Sequence, residues 1–109
     1  MAALDETMTG LIARGDPTNA TRAALAKKLA GKAAQPRYEA FLERVPARIA
    51  EHARTLGGPA LAEAITGWER ARGLAESAVR LSLDPQTVVF ELAGMLAALA
   101  PASVRNGMR

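Results

Sequence analysis

Proline and glycine fall where they cut this chain into stretches of helical length. Gly15-Asp16-Pro17, Gly31, Gly57-Gly58-Pro59, Asp84-Pro85 and Pro101 separate five segments within 109 residues. Neither residue continues a helix or a strand comfortably, so each cluster is a stop and each following segment a fresh start. Within the segments the apolar side chains recur every three or four positions rather than alternating, which is the period of a helix. Ala, the strongest helix former, supplies 25 of the 109 residues, and aromatic residues only 4%. The expected fold is all-α: a compact, single-domain bundle of about five helices spanning residues 1–109.

The first segment, about Ala3 to Ala13, sets Leu4, Met8, Leu11 and Ile12 on one face. Asp16 then reads as an N-cap with Pro17 at the first helical position, opening a second helix that closes at Gly31 with Leu25 and Leu29 inward. Lys27, Lys28 and Lys32 gather near its end, where positive charge complements the helix dipole. The third segment carries Tyr38, Phe41, Leu42, Val45, Ile49, Ala53 and Leu56 within one half of the helical wheel, with Pro46 expected to kink it. Pro59 opens the fourth, whose expected core face is Leu61, Ile65, Trp68, Ala75 and Val79. Asp84 and Pro85 repeat the cap pattern ahead of the last helix, which Pro101 ends, and residues 102–109 lack periodicity and are expected to fray.

Several kinds of function are excluded early. The chain has no Cys, hence no disulfide framework, thiolate nucleophile or Cys-based zinc site. Its single histidine, His52, leaves no multi-histidine metal set and reads as a structural residue at the edge of the third stripe. The fragment Gly31-Lys32-Ala33 lacks the upstream glycine and following hydroxyl of a phosphate-binding loop. An enzyme is not expected, and neither is a cofactor. No apolar run is long enough for a membrane span, and the longest, Leu92 to Ala102, ends in a Pro-containing tail. A cytoplasmic protein is the expectation. The net charge of +3 is unevenly spread: residues 22–80 carry 11 basic and 6 acidic groups, whereas residues 1–21 sum to −2. That imbalance keeps open a second reading, a small helical DNA-binding or regulatory module.

Two features exceed a simple core pattern. The last helix has one apolar face in Val88, Val89, Leu92, Met95, Leu96 and Leu99, and a second in Phe90, Gly94 and Ala97. Either its second face meets another protein, or the helix is central and covered by its own chain. Arg72 lies in the fourth helix's apolar stripe, where it pairs with Glu69 or Glu76 of its own helix or with a neighbouring subunit.

Four blocks then occur in order: Ala26-Lys27-Lys28-Leu29-Ala30-Gly31-Lys32, Arg37-Tyr38-Glu39-Ala40-Phe41-Leu42-Glu43, Trp68-Glu69-Arg70-Ala71, and Leu81-Ser82-Leu83-Asp84-Pro85. Together, from about Gly15 to Ala100, they resemble the C-terminal region of the bacterial DNA polymerase III delta-prime subunit family, of the alphaproteobacterial type. The resemblance implies a helical collar domain, one of five that pack into the ring holding the clamp loader together while it places the sliding clamp on primed DNA. It implies a noncatalytic assembly role in DNA replication, with the delta and tau/gamma-type subunits as partners and DNA met only through the whole complex. The ATPase-like domains of such a subunit would lie outside these 109 residues. On this reading Phe90, Gly94, Ala97 and Arg72 are the expected subunit interface.

Overall fold

A computed structural model describes residues 2–102. Helix α1 spans Ala2–Arg14, α2 Ala20–Leu29, α3 Gln35–Ala53, α4 Gly58–Arg80 and α5 Pro85–Ala97, with a 3-10 turn at Lys32–Ala34 leading into α3. There is no strand among the described residues, so the fold is the all-α bundle that the periodicity predicts. The expected fraying of residues 102–109 falls, apart from Ala102, outside the described residues.

Helix α5 is the axis of the bundle, packed against each of the other four helices. Val88, Val89, Leu92, Ala93 and Leu96 are inaccessible or nearly so. Around them close Met8 and Leu11 of α1, Leu25 and Leu29 of α2, and Phe41, Val45 and Ile49 of α3, forming one core. A helix that is apolar on nearly all sides needs neighbours on all sides, and here its own chain supplies them. Arginines of α3 tie α1 down at the edge: Arg44 Nη1 donates to Asp5 Oδ1 at 2.7 Å and Arg48 Nη2 to Thr9 Oγ1 at 2.8 Å. Helix α3 runs unbroken through a buried Pro46 to Ala53, and Leu56 lies in the turn beyond it, half-buried.

The caps follow expectation at one end of the chain and depart from it at the other. Asp84 caps α5 as its sequence implies, accepting from the Thr87 backbone N–H at 3.0 Å, with Pro85 in the first turn. At α2 the cap moves: Asn19, in a left-handed conformation with φ 64°, occupies the N-cap, and Pro17 lies in the preceding turn. The Asp16 carboxylate still serves that helix from outside, accepting from the N–H groups of Thr21 at 3.2 Å and Arg22 at 2.8 Å. The orphan donors are satisfied either way; only the chain path differs.

Of the two readings of the second face of α5, cover by its own chain applies at least in part, with Phe90 and Gly94 half-buried. Arg22 of α2 reaches across it, its Nε donating to the Phe90 carbonyl at 3.0 Å and its Nη1 to Asn19 Oδ1 at 2.9 Å. The same guanidinium lies 3.8 Å from the Phe90 ring centroid. Gly94 makes room for it, since a Cβ there would stand 2.6 Å from the guanidinium carbon. Ala97 is buried on the same side. Phe90 and Gly94 thus form the seat of Arg22.

This packing sets the sign of a double-mutant cycle. Gly94→Ala gains about 1 kcal/mol of helix propensity but displaces a guanidinium whose hydrogen bond and ring contact contribute about 1–2 kcal/mol. Chemical denaturation is expected to show the substitution neutral or destabilising in the native chain and stabilising in an Arg22→Ala background. Equal effects in both backgrounds would contradict the contact.

Candidate interaction surface

Helix α4 is turned about its axis relative to the expectation from its largest apolar residues. Its buried positions are Ala64, Ala71 and Ala78, spaced by seven, with Trp68, Leu74 and Ala75 partly buried beside them. Small side chains let α4 lie close against α3 and α5, its two main neighbours. Ile65 and Val79 each follow a buried alanine by one residue, about 100° further round the helix. They therefore point outward, 46% and 70% exposed, and Leu81 just past the helix end is 59% exposed. Leu61 sits half-buried in the same line. The assignment of Ile65 and Val79 to the core is corrected: they belong to an outward apolar stripe.

Arg72 lies in the middle of that stripe. Its guanidinium carbon is 5.0 Å from the Trp68 ring centroid, and its Nη2 is 3.7 Å from Glu76 Oε2. Of the two partners its sequence offers on its own helix, Glu76 is the one at ion-pair distance. Both side chains are more than half exposed, so the pair contributes little to stability. Its consequence is geometric: it keeps a planar, hydrogen-bonding cation flat among apolar neighbours. Arginine and tryptophan beside exposed aliphatic groups is a composition typical of protein–protein contact sites.

On the other side of α4 an open groove of about 1130 Å³ runs between α1, α3, α4 and the end of α5. Ile12, Ile49, Leu56, Met95 and Leu99 line it, and His52 and Arg48 stand among its polar groups. His52 is half-buried there, and it has no second imidazole to work with. No group of three or more His, Asp or Glu side chains is arranged to hold a metal among the described residues. Among them, too, no helix is long and apolar enough to cross a membrane. Tyr38 of α3 is 6% exposed, and its hydroxyl has no hydrogen-bond partner among the described residues. Burial first, and the Asp84 carboxylate second, raise its pKa above the ordinary value of 10.0.

Of the four expected interface residues, then, Phe90 and Gly94 meet Arg22 of α2, Ala97 is buried, and Arg72 stands in the open. Ile65, Val79 and Leu81 were visible in the sequence as apolar residues, but only the placement of the alanines shows that they face out. Comparison with family models, curated proteins and solved structures finds no match to this chain.

The orientation of α4 is tested by two substitutions of opposite expectation. Val79→Asp is expected to leave the thermal midpoint of the chain nearly unchanged, within about 0.5 kcal/mol, as for other surface changes. Ala71→Leu, in contrast, overfills a closed contact and is expected to cost about 1–3 kcal/mol. The reverse ranking would put Val79, not Ala71, in the core.

Proposed function

We propose that this chain is a noncatalytic assembly domain of the DNA polymerase III clamp loader, holding a delta-prime-type subunit in the collar ring while the sliding clamp is loaded. The observation that carries the reading is the outward stripe of α4, in which Leu61, Ile65, Trp68, Val79 and Leu81 frame Arg72. Ile65 and Val79 share the outer side of α4 with half-buried Leu61 and Trp68, and such apolar groups gain when another surface covers them. Two of the sequence blocks that resemble the delta-prime family, Trp68–Ala71 and Leu81–Pro85, lie on that helix and at its end. The resemblance supplies the partners: collar domains of the delta and tau/gamma-type subunits.

The interface assigned by this reading moves with the structure. Phe90, Gly94 and Ala97 hold the domain itself together, and Arg72 with its apolar neighbours meets the next subunit. A neighbouring helix laid along α4 would bury Ile65, Val79 and Leu81 and carry Arg72 into the contact with its Trp68 and Glu76 partners.

The test is reconstitution with purified delta and tau/gamma-type subunits. The chain is expected to co-elute with at least one of them on size exclusion. An Ile65→Asp/Val79→Asp variant with unchanged helical content is expected to bind at least about tenfold more weakly, a loss typical of interface-centre residues. Co-elution unaffected by that pair would move the interface off α4, and absence of co-elution by the native chain with either subunit would overturn the reading.

A further inference from the structure

Positions 17–38 contain five basic residues and not one acid, the longest acid-free run that carries this much positive charge in the chain. Arg22 turns inward onto Phe90. The other four, Lys27, Lys28, Lys32 and Arg37, are exposed and make no ion pair among the described residues. They stand on consecutive short elements: the last turn of α2, the 3-10 turn and the first turn of α3. Acids close in sequence or in the adjoining cap bind neutral donors, and none is at ion-pair distance from these four cations among the described residues. Asp16 caps α2, Asp84 accepts from the Thr87 backbone and hydroxyl, and Glu39 accepts from Gln35 at 3.2 Å.

Helix dipoles account for only half of this charge. Lys27 and Lys28 sit at the end of α2, where cations are favoured, but Arg37 sits in the first turn of α3, where a cation opposes the dipole and no acid offsets it. We infer that this corner is a contact for the phosphate backbone of nucleic acid, made by Lys27, Lys28, Lys32 and Arg37 without reading base sequence. This goes beyond the assembly role and does not depend on it.

The residues between the cations decide the class of partner. Ala23, Ala24, Gly31, Ala33, Gln35 and Pro36 are the exposed neighbours, and none is a large apolar or aromatic side chain. A membrane surface is held by apolar groups inserted beside the cations, and a protein interface by buried anchors at its centre. Neither is present here. Phosphodiester backbones need only spaced cations, and the resulting affinity is salt-dependent and indifferent to sequence.

Fluorescence anisotropy with short labelled DNA duplexes tests this directly, using the native chain. Binding is expected in the range of about 10⁻⁴–10⁻⁶ M, equal for duplexes of unrelated sequence, with log K falling against log salt with a slope of about −3.6 for four phosphates. Two variants separate the corner from overall charge. K27Q/K28Q/K32Q/R37Q and R14Q/R54Q/R70Q/R80Q each remove four positive charges from the +3 chain, taking both to −1. The first is expected to weaken binding at least about tenfold and flatten the salt slope, the second to change it much less. Equal losses in the two variants, no duplex binding by the native chain at about 50 mM salt, or equal affinity for polyglutamate or anionic vesicles would each overturn the inference.

Discussion

The burial of α5 is the constraint on which the rest of the structure depends. Val88, Val89, Leu92 and Leu96 are essentially without solvent contact, and each such side chain contributes about 1.5–3 kcal/mol when removed from water. With so few large apolar residues in the chain, that burial requires the other four helices to close round one axis. α2 closes its side through Arg22, which fills the space left by Gly94 and caps the Phe90 carbonyl with a second hydrogen bond. Replacing an aliphatic wedge by a guanidinium is economical here, since the same group satisfies a backbone acceptor, an asparagine side chain and an aromatic face.

α4 closes its side mainly with alanine. Small residues at Ala64, Ala71 and Ala78 give a close approach but little apolar area. The helix's bulky aliphatics, Ile65 and Val79, are left facing water, next to an arginine already resting toward tryptophan. A chain selected only for its own stability would place the larger side chains inward. α4 thus meets the core with three buried alanines beside partly buried Trp68 and Leu74, and leaves Ile65 and Val79 outside. The basic corner lies on different elements, α2 and the start of α3, so the proposed partner contact and the proposed phosphate contact use different side chains.

Much of the fold was legible in the sequence because its signals are local. Proline, glycine and the Asp84 cap mark element ends through backbone geometry alone, and the α3 stripe from Tyr38 to Ala53 is periodic enough to fix its buried face. What was not legible depends on which neighbour a helix meets. The seat for Arg22 joins positions 68 residues apart, and no pattern within either helix reveals it. For α4, ranking residues by hydrophobicity selected Ile65 and Val79 for the core, whereas the distance of approach between helices selected alanine. The candidate surface was therefore half visible: Arg72 and its stripe were found from spacing, but their direction was not. At α2, turn chemistry placed the cap at Asn19 while the Asp16 carboxylate supplied the hydrogen bonds, a division that one-residue reasoning about caps does not anticipate.

Isoleucine methyl NMR tests the central claim most directly, because Ile65 stands apart from the other two isoleucines. Ile49 is buried at the inner wall of the groove, Ile12 lines its partly open side and Ile65 stands on the outward stripe. On addition of unlabelled delta or tau/gamma-type subunit, the account predicts that the Ile65 methyl resonance shifts or broadens while that of Ile49 stays in place. An Ile65 resonance unmoved by both subunits, or a response confined to Ile12, would contradict it.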